Sequence, residues 1–233
     1  MRTIYSKKHK TTKGRGELAF ESKISQAFYR GISKFPFLPS LHRYSITISH
    51  GNKFIWYRIP KVATNTILDH LKEQGVYLDA EYAFQVNYPP RLYAPYYKFA
   101  FIRNPWERLI SCWLNKVVLY NHFKFNKKNY DAFQNLGAFV SFVESLDIQN
   151  CDGHLKSQSS SIDLNQVDFI GRLDNFDTDF QVVCENVGIS GHQVKIKNKN
   201  LDKADFRTYY NGNLKDKVFK IYEKDIRLFG YDF

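Results

Sequence analysis

Lys61, Thr64 and Thr66 fall within one short segment, Arg58-Ile59-Pro60-Lys61-Val62-Ala63-Thr64-Asn65-Thr66. Arg103 and Ser111 fall within a second, Phe101-Ile102-Arg103-Asn104-Pro105-Trp106-Glu107-Arg108-Leu109-Ile110-Ser111. Each segment follows an apolar run, Phe54 to Tyr57 before the first and Tyr97 to Ile102 before the second, and each opens a helical pattern. A strand that turns directly into a helix aims backbone N–H groups at an anion, and the helix dipole adds to the attraction. An ammonium on the first turn supplies a point charge, and a guanidinium on the second supplies the planar fork that suits phosphate. Together the two turns predict a site for a ligand that carries phosphate at both ends.

Within the first turn, Lys61 can reach a bridging oxygen as charge develops on it. Thr64 and Thr66 can offer hydroxyls, and small Ala63 lets the backbone approach closely. Val62 and Asn65 complete the run of amides. A nucleotide-binding P-loop would place its lysine after the glycines, as Gly-x-x-x-x-Gly-Lys-Ser/Thr. Here the lysine comes first and no glycine is present, which argues against an ATPase or GTPase.

The pair of turns closely resembles the sulfotransferases that use 3′-phosphoadenosine 5′-phosphosulfate (PAPS), especially the carbohydrate, family 2 type branch. The resemblance implies that Lys61, Val62, Ala63, Thr64, Asn65 and Thr66 cradle the phosphosulfate, with Lys61 also acting in catalysis. It implies that Arg103 and Ser111, eight residues apart, hold the 3′-phosphate. Arg108, in the same string, is expected to be a structural partner for a carboxylate. Weaker echoes continue through Gly153–Gln158, Val167–Phe176, Asp205–Tyr210 and Asp225–Tyr231. The implied fold is an α/β three-layer sandwich with a central, mostly parallel sheet and a P-loop-like phosphosulfate turn. The implied reaction moves a sulfuryl group from PAPS to a hydroxyl, on a carbohydrate or another acceptor that could itself be anionic.

The base is where the sequence departs from that pattern. Some relatives carry a catalytic His a couple of dozen residues before the Arg of the second motif, and others use a Glu. No His lies between Lys72 and Arg103; Asp79 and Glu81 are the acids there, and Glu81 is the better placed. A carboxylate at that position would need burial or an apolar wall to become a useful base. His154, inside the downstream block, is the second candidate because imidazole titrates near neutrality. The other histidines show no metal-ligand spacing, so no metal cofactor is expected.

The elements that must position these groups can be read from periodicity. Tyr44–Ser49 alternates as a strand, and His50-Gly51-Asn52-Lys53 turns it into the strand from Phe54 to Ile59. A helix follows from Thr64 to Gln74 and stops at Gly75. Val76–Ala94 reads as a connection with little periodicity, leading to the strand Tyr97–Ile102. Strand, crossover helix and strand predict a parallel pair. Asn104 can cap the next helix, Pro105 suits its first position, and Glu107 sits where a capping box needs its acid. Asn121–Gly137 is expected to be an excursion over the active face. Further helices are expected at Ala138–Leu146, Phe176–Asn186 and Leu214–Phe229, with a short strand at Val167–Gly171.

At 233 residues with 43% hydrophobic content the chain can bury a large core, which excludes a disordered protein. Residues 1–40 read as a basic segment followed by an amphipathic helix over Glu17–Ser33, and residues 41–233 as the sulfotransferase domain. The net charge of +11 favours anionic ligands but cannot choose among them. A small-molecule kinase with a degenerate phosphate loop and a basic polyanion-binding protein are the rival readings. The kinase lacks a glycine-rich loop, and charge alone does not explain two phosphate turns. Nucleic acid is therefore not the expected partner. Three widely spaced cysteines, no glycosylation acceptor and no run of membrane-spanning length point to a reduced, cytoplasmic, bacterial-type enzyme.

Overall fold

The computed structural model describes residues 35–191 and 205–233. The basic segment and the helix expected over Glu17–Ser33 lie outside the described residues. β1 (Tyr44–Ser49) and β2 (Phe54–Tyr57) form the expected hairpin, with Ser49 opposite Phe54. All of β2 is buried, as are Lys98 to Ile102 of β4 (Tyr97–Ile102). Successive side chains on a strand point to opposite faces, so both faces of these central strands are covered. β2 pairs with β4 in parallel, and β4 pairs in parallel with β5 (Phe169–Arg172).

With β3 (Ala80–Val86) at one edge, the complete sheet has the order β3-β1-β2-β4-β5 and is mixed. Two of its ladders are parallel and two antiparallel, which corrects the expectation of a mostly parallel sheet. A turn as short as His50–Lys53 can only return the chain antiparallel. β3 then adds antiparallel to β1. This edge strand occupies the stretch read from sequence as an aperiodic connection. Its large side chains, Tyr82 and Phe84, are exposed, while small Ala83 packs toward the core. Its pairing with β1 also shifts register twice. The usual alternation of large apolar and polar residues is thereby inverted.

Two apolar cores flank the chain's passage from sheet to helices. The first joins the sheet to Ile67 and Leu71 of α1 (Thr64–Glu73) and to Phe180 and Val183 of α5 (Phe176–Val187). Gly171 of β5 belongs beside it: a Cβ there would lie 2.5 Å from the Phe101 ring. The second core joins α2 (Pro105–Trp113), α4 (Leu136–Glu144), α6 (Gly212–Ile221) and α7 (Glu223–Phe229). Between α2 and α4 the chain makes a π-helical turn, Leu114–Val118, and the short helix α3, Lys127–Phe133. The expected excursion over 121–137 therefore contains helix.

α6 and α7 replace the single helix expected over Leu214–Phe229. The break is at Tyr222, whose hydroxyl donates to the Leu155 carbonyl at 2.8 Å. Re-aiming the chain there brings the fully buried Asp225 carboxylate onto the backbone N–H groups of Gln158 and Ser159.

Candidate active site

β2 and β4 are parallel neighbours, with Tyr57 opposite Ala100, so both motifs leave the carboxyl edge of the sheet side by side. Ligands of open α/β sheets bind in the crevice at that edge. In the first turn, Lys61 has φ 74° and Ala63 has φ 59°, both in the left-handed region that glycine normally occupies. The loop thus has glycine-type backbone without glycine. Ala63 accepts the first intrahelical bond of α1, from the Ile67 N–H at 3.1 Å, so the helix opens directly from the turn that carries Lys61. Thr64 donates its hydroxyl hydrogen to the Ile59 carbonyl at 2.9 Å and so locks the strand end to the helix start. In this arrangement the Thr64 hydroxyl hydrogen is already engaged by the strand end. Val62 and Thr66 are buried and Asn65 is exposed.

Arg103 follows β4 directly and is buried. Its Nη2 donates to Glu107 Oε1 at 2.9 Å, and its Nη1 donates to the Lys61 carbonyl at 3.4 Å. Glu107 therefore pairs with Arg103 instead of closing a capping box. The cap itself comes from Asn104, whose side chain accepts from the Trp106 N–H. The Arg103 backbone is held by buried Gln158, which accepts from its N–H and donates to its carbonyl. Ser111 is buried further along α2.

Among the described residues Arg108 meets no carboxylate, contrary to expectation. Its guanidinium donates to three backbone carbonyls: Pro60 at 3.2 Å, Lys156 at 3.0 Å and Gly153 at 2.9 Å. A side chain with five donors and no acceptor can bind a loop in this way. It clamps the Lys61 turn to the segment that carries His154.

His154 Nδ1 lies 2.8 Å from Asp152 Oδ1, and the same oxygen accepts the His154 backbone N–H. An ionised carboxylate only accepts, so Nδ1 carries the proton and Nε2 keeps its lone pair. Burial lowers the His154 pKa, against the opposing pull of Asp152. Burial pushes the Asp152 carboxyl up, but hydrogen bonds from His122 and His154 together outweigh it and hold it below the usual range. His122 closes the group, with Nε2 at 3.9 Å from Asp152 Oδ2 and its ring centroid 4.5 Å from that of His154.

Arg108 of α2 bonds to both neighbourhoods, through the Pro60 carbonyl before Lys61 and the Gly153 carbonyl before His154. Burial pushes the Cys112 thiol up to about 12, while Arg108, Lys61 and Lys116 act on it as nearby positive charges and Asp152 as a negative one. Glu81 lies elsewhere. It sits on the edge strand β3, half-exposed, with its carboxylate 2.9 Å from Lys72 Nζ. The burial or apolar wall that a carboxylate base requires is missing there.

The sequence assigns roles to Lys61, Arg103, Ser111 and His154, marks Gln158 and Asp225 only as ends of family-like blocks, and points to neither Asp152 nor His122. Asp152 stood two residues from His154, a signal that was available. His122 is thirty-two positions from His154, and only the fold brings the two together.

No curated protein and no solved structure matches the chain. A family model does, described as Sulfotransferase family, over residues 44–232. That span takes in both strand-to-helix turns, the Arg108 clamp and the Asp152–His154 pair, and the chain belongs to the sulfotransferase family.

Proposed function

We propose that the chain transfers a sulfuryl group from PAPS to a hydroxyl of a carbohydrate acceptor, residues 41–233 forming the transferase domain. The observation that carries this reading is the Arg103–Lys61 bond, which ties two anion-binding turns into one crevice at the carboxyl edge of β2 and β4. In the reading, Arg103 and Ser111 hold the 3′-phosphate. The α1 amides and Lys61 hold the phosphosulfate. The acceptor oxygen attacks sulfur as the bond from sulfur to the 5′-phosphate oxygen breaks. Lys61 meets the negative charge that grows on that departing oxygen, and 3′-phosphoadenosine 5′-phosphate (PAP) is released. Positioning and electrostatics supply most of the rate in such displacements.

The acceptor proton goes to His154 Nε2. Asp152 supports this role, because it fixes the tautomer and can stabilise the imidazolium that forms. Glu81, the first candidate from sequence, is replaced here on the strength of its exposure and its Lys72 partner. The carbohydrate class rests on the resemblance of the two motifs to the carbohydrate branch.

The test is a binding titration with PAP, ATP and adenosine 5′-phosphosulfate (APS). Tightest binding of PAP is expected. Preference for ATP would favour a kinase, and salt-sensitive binding of any polyanion without preference would reduce the site to its charge.

A further inference from the structure

We propose that His122, Asp152 and His154 form a binding site for one divalent late transition metal ion, Zn²⁺ or Co²⁺, and that its occupancy stops transfer. The three come from two segments, His122 from the turn after the π-helical stretch and Asp152 and His154 from the loop 151–155. Each offers one ligand atom, and these atoms all lie within 4.8 Å of one another. A tetrahedral Zn²⁺ with ligand bonds of about 2.0–2.1 Å holds neighbouring ligand atoms roughly 3.3 Å apart. His154 Nδ1 lies 2.8 Å from Asp152 Oδ1 and His122 Nε2 lies 3.9 Å from Asp152 Oδ2, so the carboxylate stands between the two rings with one oxygen toward each, and side-chain rotation is what brings one oxygen and both nitrogens onto a common ion. Two imidazoles and one carboxylate suit zinc and its neighbours, whereas Mg²⁺ prefers oxygen ligands. All three residues are partly exposed, which leaves a route for the ion and room for water in the remaining position.

The consequence for the site follows from the tautomer. An ion entering between Asp152 and His154 takes the Nδ1 lone pair and displaces the proton from that nitrogen. In the neutral ring the proton then resides on Nε2. A nitrogen that accepts a proton in the metal-free protein becomes a donor in the loaded one. Inhibition therefore rests on His154 acting as proposed above; binding of the ion does not.

The experiment is a calorimetric titration of tag-free, chelator-stripped full chain with ZnCl₂, repeated with CoCl₂ while recording visible absorption. One ion per chain is expected, with the intense bands of four-coordinate cobalt. His122→Ala and Asp152→Asn should each weaken binding at least about tenfold, the loss seen even for outer partners of metal ligands. Cys151→Ser should retain it, which excludes the neighbouring thiol as the ligand. Zn²⁺ should then abolish wild-type turnover reversibly, with chelator restoring it, and should inhibit His122→Ala less relative to its own metal-free rate. Absence of stoichiometric binding, or binding unaltered in both variants, overturns the site. Stoichiometric binding with undiminished turnover overturns its effect on transfer. A chain that binds zinc but transfers no sulfuryl group retains the metal site and loses the proposed reaction.

Discussion

Arg103 donates from Nη1 to the main-chain carbonyl of Lys61 across 3.4 Å, so a side chain of the second turn supports the backbone of the first. The supported residue is one of two in that turn with left-handed backbone. Such a conformation in a non-glycine residue costs on the order of 1–3 kcal/mol and persists only where its surroundings hold it. Arg103 and the Arg108 bond to Pro60 are two of those holds. The guanidinium that the proposed reaction uses for the 3′-phosphate is thus also part of the framework of the Lys61 turn.

Lys61→Ala is expected to lower turnover by about 10²–10³-fold, the range for losing one preorganised donor to a developing oxyanion. PAP affinity should change far less, because the interaction strengthens as the leaving oxygen becomes charged. Steady-state kinetics beside PAP titration separates the two. Normal turnover with weakened binding would make Lys61 an anchor only.

Arg103→Ala should weaken PAP much more than APS, which lacks the 3′-phosphate. Loss of a charge-assisted hydrogen bond of about 1.5–3 kcal/mol corresponds to roughly 10- to 150-fold in PAP affinity. Because Arg103 also holds Lys61, a smaller loss common to both ligands is expected as well. Ser111→Ala should follow the same direction more weakly. Equal losses for PAP and APS would remove Arg103 from the 3′ site.

The two turns were legible in sequence because their chemistry is local: a strand, a basic residue, a cap and a helix lie within a dozen positions. Asn104 capping α2 and Gly75 ending α1 with φ 69° belong to the same class of short-range signals. β3 was not legible, since its aromatic residues face outward and its pairing is bulged. Arg108 was misassigned for a related reason. A buried guanidinium suggests a carboxylate, yet three loop carbonyls satisfy it, and those come from segments forty-five or more positions away. Asp225 serves Gln158 over sixty-seven positions, and no spacing rule reaches that far.

Asp225→Ala should destabilise the fold and disturb the site together. It leaves the buried N–H groups of Gln158 and Ser159 without their acceptor. An unsatisfied buried donor costs about 1–3 kcal/mol, and a chain of this size loses about 2–4 °C of Tm per kcal/mol. With two donors stranded, a fall of roughly 4–24 °C in thermal unfolding is expected. PAP should also bind more weakly at temperatures where the variant is folded, because Gln158 holds the Arg103 backbone on both sides. Asp225→Asn, which keeps one acceptor, should lie between. An unchanged Tm would show that the two donors find other partners.

Gly171→Ala places a methyl group 2.5 Å from the Phe101 ring, between β5 and the strand that carries Arg103. Overpacking of this kind costs about 1–3 kcal/mol. Denaturant unfolding should report that loss, and Phe101→Leu in the same chain should recover part of it, since the clash is with the ring itself. Additive losses in the double variant would mean that the strand shifts elsewhere.

His154 and Glu81 make opposite predictions. His154 has a carboxylate partner that fixes its tautomer, and Arg108 ties its loop to the Lys61 turn. Glu81 sits on an exposed edge strand, paired with Lys72. His154→Gln, which keeps a polar side chain of similar reach but cannot take a proton at that point, should cut turnover by about 10²–10⁴-fold. PAP binding should persist. Asp152→Asn should act in the same direction, because a side-chain amide can also donate to the ring and no longer enforces one tautomer. Glu81→Gln should leave turnover within about threefold of the parent, as expected for a surface pair worth well under 1 kcal/mol. Added imidazole should restore part of the rate to a cavity variant, His154→Gly, and not to Glu81→Gln. A large loss in Glu81→Gln beside a normal His154→Gln would return the base to the edge strand and require β3 to move when the acceptor binds.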